Sequence, residues 1–271
     1  MRGMIGRSLN ELSNPARRKF DKLRTAVLAG GRRLAQTAAM ASRLARNALP
    51  QACALCADDS GDAILCAPCM NALPALPVVC PSCASPSPAG GFCGACLVRP
   101  PRFAATIAAG RYAFPLDRLV QGLKYEHRLA LAHPLGDMLA AAVLRTLPPR
   151  PLPDAIVALP LAPARQRERG FNQAMEIARV VARRTGCPVA SGLVRTSAGR
   201  PQASLPWSER RRNVRGAFGC NVAFTGRSIA LVDDVMTTGA TLDAAARALL
   251  AAGASRVEAW VVARTLAPGA S

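Results

Sequence analysis

Aromatic side chains make up 4% of this 271-residue chain, and histidine is scarcer still, with 2 residues. Acids are also few, 16 Asp and Glu against 35 Lys and Arg, which leaves a formal charge of +19. The few rings do not interleave with the basic residues, so the chain lacks the stacking groove of a single-strand binder. His127 and His133 lie in a helical stretch without the neighbours of a triad or a zinc site, and neither is assigned catalysis. No run of eighteen uncharged apolar residues exists to span a membrane. Arg17, Arg18, Lys19, Lys22 and Arg24 interrupt the N-terminus where a secretory signal would carry its apolar core. The charge balance favours a polyanionic partner, whether nucleic acid, membrane headgroups or a phosphorylated small molecule. The length suits one substantial α/β domain and a smaller module.

Residues 1–50, rich in Ala and Arg with two acids, Glu11 and Asp21, read as a basic leader, flexible or partly helical. A transit peptide, a surface anchor and a disordered leader share that composition, and no role is assigned to it.

The texture changes at Gln51. Eight of the ten cysteines then fall as four CxxC pairs, Cys53 and Cys56, Cys66 and Cys69, Cys80 and Cys83, Cys93 and Cys96, separated by nine, ten and nine residues. One small unit is used twice. Each CxxC turn aims two thiolates at one ion, and two turns complete the tetrahedral sulfur set of zinc. Eight ligands fill two coordination shells, so the ions are structural. An iron–sulfur centre is the inorganic rival, and a crossed pairing of the turns stays open. A disulfide scaffold would need an oxidising compartment to which nothing here routes the chain. Cys187 and Cys220 lie outside the pattern and read as apolar fillers.

Beyond Leu97 the pattern is α/β. Strands are expected at Phe103–Ala109, in AIVALPL before Pro160, at Pro188–Leu193, Ser228–Val232 and Val257–Val262. Helices are expected over Leu116–Leu147, from Gly170 to Gly186, and over Thr241–Ala252. Short apolar runs between helices suit a parallel sheet covered on both faces. In IALVDDVMTTGATL, Asp233 and Asp234 then stand at the C-terminal edge of such a strand, where these sheets bind ligands. The loop that follows offers backbone N–H groups and Thr hydroxyls to a phosphate, while paired acids suit hydroxyl groups or a divalent ion. Together they ask for a phosphorylated sugar.

This stretch resembles the phosphoribosyl pyrophosphate motif of type I phosphoribosyltransferases. The full set of features resembles the ComF/GntX family: cysteine pairs, LKY at Leu123–Tyr125, RERGFNQA at Arg167–Ala174, Gln202 with RRNVRGAF, and the paired acids. The likeness spans roughly Cys53 to Arg264. It implies a type I phosphoribosyltransferase fold, α/β with a mainly parallel central sheet, at residues 99–271, preceded by a double zinc-ribbon module at 51–98. It further implies that Asp233 and Asp234 contact the ribose hydroxyls, directly or through Mg2+, and that Thr237, Thr238, Gly239, Ala240 and Thr241 hold the 5-phosphate. Arg165, Arg169 and Gly170, with Asn172 and Gln173 opening the next helix, would face the pyrophosphate, and Lys124 is a further contact. Arg165, Arg169, Asp233 and Asp234 are the catalytic candidates, and Arg200, Gln202, Arg210, Arg212 and Asn213 the segment that closes over substrate.

The implied cofactors are two structural Zn2+ ions and Mg2+ with phosphoribosyl pyrophosphate. The implied partners are that diphosphate, single-stranded DNA or competence proteins, and a second copy of the chain. The implied setting is the cytoplasm or the periphery of the inner membrane. The competing function is a non-enzymatic nucleic-acid or partner-binding protein of DNA uptake.

Overall fold

The computed structural model describes residues 51–146, 151–196 and 216–266. The leader at 1–50, and Arg200, Gln202, Arg210, Arg212 and Asn213, lie outside the described residues. The strands are β1 (Ala105–Arg111), β2 (Ala155–Ala158), β3 (Leu193–Arg195), β4 (Phe218–Cys220), β5 (Ser228–Met236) and β6 (Arg256–Arg264). Four of them form a parallel sheet in the order β1-β6-β5-β2. β5 and β6 occupy its centre and are buried along most of their length, which explains why both read as apolar runs rather than alternating strands.

The helices are α1 (Ala67–Asn71), α2 (Gly94–Val98), α3 (Leu116–Tyr125), α4 (Ala132–Thr146), α5 (Pro163–Arg169), α6 (Gln173–Thr185) and α7 (Ala240–Ala251). α4 and α6 pack on each other and against the sheet, while α7 packs against β5, β6 and the antiparallel pair β3–β4. Trp260, Ile156, Ile229, Leu135, Leu139 and Ile177 are almost wholly buried in the resulting core.

Several elements differ from their sequence expectation, among them α5 and β4, which are not expected at all. The long helix expected from Leu116 is broken between α3 and α4 by a turn in which His127 takes a left-handed φ of 54°. Leucines continue through the break, so helical periodicity carries no sign of it; Leu131, buried in the turn, comes so close to Gly122 that a side chain there would meet it at 2.8 Å. The strand expected at Pro188–Leu193 reduces to a parallel bridge from Val189 to Ile156, after which the chain turns into β3 against β4. β5 also runs four residues past Val232, so that both acids lie within the strand.

The cysteine-rich segment repeats one local geometry. Ala57 and Ala84, each following the second cysteine of its group, adopt φ of 63° and 53°. Each donates its N–H to the first cysteine's carbonyl, Ala57 to Cys53 and Ala84 to Cys80. The later CxxC of each group opens a short helix, α1 after Cys66 and α2 after Cys93. The segment docks on the free edge of β1, where Thr106 N–H donates to Pro81 O at 3.1 Å and Arg111 N–H to Pro74 O at 2.9 Å.

The packing of α4 on α6 depends on one missing side chain. A Cβ at Gly136 would lie 2.5 Å from Cβ of Val180, a β-branched residue with little room to turn away. Gly136→Ala is therefore expected to destabilise the domain by about 1–3 kcal/mol, the usual cost of overpacking. Denaturant melts should show that loss, and Val180→Ala in the same chain should recover part of it.

Candidate functional site

In a parallel sheet all strands end on the same side, and here the C-terminal ends of β2, β5 and β6 gather the chemically distinctive residues. β5 leads through Thr237 and Thr238 into α7, which is capped by Gly239 at φ 76°. The left-handed φ is what calls for glycine there, while the nearest atom to a side chain at this position would be the movable Met236 methyl at 2.6 Å. The Ala240 N–H donates to Thr238 Oγ1 at 3.2 Å. The amides of Thr237, Thr238 and Gly239 donate to no backbone acceptor among the described residues. Free donors beside the positive end of a helix dipole make an anion site.

The acids lie on β5, with Val235 and Met236 between them and that loop. Asp234 is 3% exposed, and its Oδ1 accepts from the Val235 N–H at 2.6 Å and pairs with Lys124 Nζ at 2.9 Å. Burial by itself would lower the pKa of Lys124, but the charges of Asp234 and then Asp233 outweigh it and hold the ammonium above its ordinary value. Lys124 reaches the acids from the last turn of α3. Burial, reinforced by the Asp234 charge, pushes the half-buried Asp233 carboxyl up to about 8, although Lys124 pulls the other way. Oδ2 of Asp234 is buried without a hydrogen-bond partner among the described residues. A buried orphan oxygen beside a carboxyl held protonated is a donor set short of positive charge, and that chemistry fits a divalent cation or sugar hydroxyls.

The basic candidates divide. Arg169 is 6% exposed, with its guanidinium 5.2 Å over the Tyr125 ring. That stacking joins the ends of α5 and α3. Gly170 closes α5 in the left-handed region at φ 71°. Asn172 then caps α6, accepting from Ala174 N–H at 3.0 Å while its amide donates to Leu159 O at 3.0 Å. The loop after β2 is thus tied to the strand end. Buried Gln173 keeps an unpartnered Oε1. Burial, and after it the charge of half-buried Arg165, lowers the pKa of Arg195, whose guanidinium lies 5.4 Å over Phe218. Two guanidiniums near enough to repel favour an anion between them.

Sequence reasoning missed Arg195 and Arg264. Nothing distinguishes Arg195 by pattern. Arg264 had a signal, as the one charge ending the apolar run VVA of a strand covered on both faces.

A cavity of 310 Å³ lies at the opposite end of the sheet, among Pro151, Pro153, Ser228, Ile229, Arg256 and Glu258. Its walls are mainly apolar, and the paired acids and the loop after β5 lie at the other end.

The eight clustered cysteines form two groups of four, Cys53, Cys56, Cys66 and Cys69, and Cys80, Cys83, Cys93 and Cys96, with the sulfurs of each group within 4.8 Å of one another. Neighbouring pairs go together, which closes the crossed alternative. The Cys56–Cys66 and Cys83–Cys93 sulfurs lie 3.7 and 3.6 Å apart. A tetrahedron with Zn–S bonds of about 2.3 Å has edges of about 3.8 Å, whereas a disulfide needs about 2.05 Å. Burial would raise the Cys53 thiol, but the backbone N–H groups of Cys56, Cys66 and Leu55 bring it down to about 6. Cys80 falls to about 7 in the same way. Cys69 is pushed up to about 12, first by its contact with Cys66. A quartet whose members resist ionising together is completed by a divalent ion.

Residues 44–97 match the family described as double zinc ribbon domain, and residues 221–269 the family described as phosphoribosyl transferase domain. The chain is 37% identical over 174 residues to the DNA utilization protein YhgH of Escherichia coli (strain K12), covering 63% of this chain and 77% of that protein. It is 33% identical over 175 residues to Competence protein F of Haemophilus influenzae, covering 62% of this chain and 76% of that protein. Among solved structures, the glutamine phosphoribosylpyrophosphate amidotransferase of B. subtilis complexed with ADP and GMP is similar at a TM-score of 0.32 and 23% identity, over 47% of this chain and 25% of its own.

Two complete sulfur sets should hold two zinc ions per chain. Cys66→Ser and Cys93→Ser are each expected to lower the zinc content by about one ion, read by atomic absorption. Because protons compete for thiols such as Cys69, zinc affinity should fall as pH is lowered, which a chelator titration would follow.

Proposed function

The chain belongs to the ComF/GntX family, and from that membership we propose that its α/β domain binds phosphoribosyl pyrophosphate with Mg2+ at the C-terminal end of β5 and transfers the phosphoribosyl group to a nitrogen acceptor. The observation that carries this reading is the succession, within nine residues, of two acids in a low-dielectric strand end and a glycine-capped loop of unpaired amides at a helix N-terminus. A phosphorylated sugar is the ligand that satisfies both halves.

In this reading the amides of Thr237, Thr238 and Gly239, with Ala240 and Thr241 at the start of α7, hold the 5-phosphate. Asp233 and Asp234 take the ribose hydroxyls, and Lys124 orients Asp234. Arg165, with Arg195 beside it, faces the pyrophosphate from the loop after β2, and Arg169 and Gly170 shape that loop. Mg2+ would supply charge neutralisation to the departing diphosphate. The bond from the anomeric carbon to the diphosphate oxygen breaks with its electron pair leaving on that oxygen. The lone pair of the acceptor nitrogen forms the new bond and the nitrogen gives up a proton. Fixed cations aimed at the diphosphate stabilise that charge shift without reorganising.

A second reading rests on the names of the relatives and on the +19 charge: binding of single-stranded DNA. Residues 51–98 hold no Lys or Arg and three acids, Asp58, Asp59 and Asp62. Phosphate contacts in this reading therefore come from the rest of the chain, and the cysteine module, with exposed Val78, Phe92, Leu97 and Val98, contributes apolar surface.

Calorimetry with phosphoribosyl pyrophosphate and Mg2+ is expected to show binding that weakens about ten- to hundredfold in Asp233→Asn and Asp234→Asn, the scale of a lost charged hydrogen bond. Equal affinity in all three proteins would remove the acids from the site. Asp233 must lose its proton to take a cation, so affinity should rise with pH up to about 8 in the native protein, and this contribution should be absent in Asp233→Asn. For the DNA reading, the logarithm of the single-strand association constant should fall linearly with that of salt concentration, by about 0.7 per phosphate contacted. The slope should be the same in Asp58→Asn, Asp59→Asn, Asp62→Asn protein if the module makes no phosphate contact.

A further inference from the structure

Arg264 is 5% exposed, and all three of its guanidinium nitrogens are in use. Nε donates to the Cys83 carbonyl at 2.9 Å and Nη2 to Ser85 Oγ at 2.9 Å, both in the second cysteine group's knuckle. Nη1 donates to the Met236 carbonyl at 3.1 Å and also to the Thr237 and Thr265 carbonyls. One rigid planar cation therefore holds two segments together, the turn after a zinc ligand and the backbone entering the phosphate loop. The contacts run parallel to a second tie, in which Thr106 Oγ1 donates to Ser82 O at 2.6 Å and lies 3.9 Å from Met236 Sδ. The fork geometry of guanidinium suits it to spanning several carbonyls at once, which a lysine ammonium cannot reproduce. A zinc ion with four thiolates also carries net negative charge, which a guanidinium beside it complements.

We propose that Arg264 is a positioning residue for the phosphate loop and that the second cysteine group, when filled with zinc, fixes Arg264, so that metal at this site orders the loop amides while metal at the first site does not. The inference rests on the phosphate-site reading for its functional consequence, whereas the coupling itself can be read without ligand. The carbonyls of Met236 and Thr237, once held by Arg264, set the direction in which the following amides point, because the peptide unit is planar. Coupling between two sites is reciprocal, so a ligand on the loop must in turn favour zinc at the second group and leave the first indifferent.

The test compares the full-length, zinc-loaded protein with Cys93→Ser, Cys69→Ser, Arg264→Met and Arg264→Lys by amide hydrogen exchange of Ala240 and Asp243, whose N–H groups are hydrogen-bonded across the loop to Thr238 Oγ1 and the Gly239 carbonyl, with zinc content measured alongside. Cys93→Ser removes a ligand of the second group without altering the Cys83 carbonyl, and Cys69→Ser removes one ligand of the first group. Expected is faster exchange in the loop, by about tenfold or more, in Cys93→Ser and in Arg264→Met, native exchange in Cys69→Ser, and partial recovery in Arg264→Lys. Arg264→Met should still hold both zinc ions, which separates loss of positioning from collapse of the module. Equal loop protection in Cys93→Ser and Cys69→Ser, or native protection in Arg264→Met, would overturn the coupling. Should Arg264→Met not fold, Arg264→Lys with native protection would overturn it equally.

Calorimetry with inorganic pyrophosphate and with phosphoribosyl pyrophosphate is then run on the same proteins. Weaker phosphoribosyl pyrophosphate binding in Arg264→Met extends the coupling to function. Fast loop exchange in Arg264→Met, together with no binding to the native protein, would retain the coupling and reject the phosphate-site reading.

Discussion

Two carboxylates near the end of a strand buried on both faces have lost water, and their desolvation is the constraint around which the rest of the site is arranged. Lys124 answers for one oxygen of Asp234, and the N–H of Val235 for part of the same atom's capacity. What is left over, an orphan oxygen on Asp234 and an Asp233 that retains its proton, is an unmet demand for positive charge or donors. A structure that needed the acids for stability would have paired both, since a half-satisfied buried pair costs more than apolar packing. The deficit therefore points to a ligand, and in the proposed reading the sugar hydroxyls and a cation fill it.

The constraint reaches outward through backbone geometry. α3 carries Lys124 to the strand from its last turn, and the left-handed turn at His127 follows it. β5 has to continue to Met236 so that the loop carbonyls meet Arg264. Gly239 has to lack a side chain because α7 begins from a left-handed backbone conformation there. Arg264 then ties the cysteine module to this same corner, which gives that module a place in the architecture beyond being a separate bead on the chain. A module of this size has too little core to hold a shape by apolar burial alone, so metal supplies most of its folding free energy. A domain boundary near Leu97 is a convenient division of sequence, but the hydrogen bonds to Pro74, Pro81, Cys83 and Ser85 cross it.

How much could be read in advance follows the range of each interaction. The cysteine groups were legible because CxxC spacing is itself the ligand geometry, and the parallel α/β class because β5 and β6 are apolar throughout. The loop from Thr237 to Thr241 was legible because a strand, a turn and a helix cap are consecutive in the chain. The end of α3 was not, because leucines repeat at helical spacing on both sides of His127 and periodicity records which face is buried rather than where the axis turns. Nor was the antiparallel pairing of β3 with β4, whose 3-residue strands are too short to show a period.

The sequence by itself determined the two cysteine sets, the class of sheet and the order of the paired acids and the glycine-capped loop after them, all of which are set by residues within a few positions of one another. Only the tertiary structure decided which cation meets which acid and which arginine is structural. Lys124 and Asp234 are 110 positions apart, and Cys83 and Arg264 are 181 positions apart. Those pairings depend on how strands are ordered in the sheet and on what docks at its edge. Charge, unlike hydrophobic period, leaves no trace along the chain of the partner it will find.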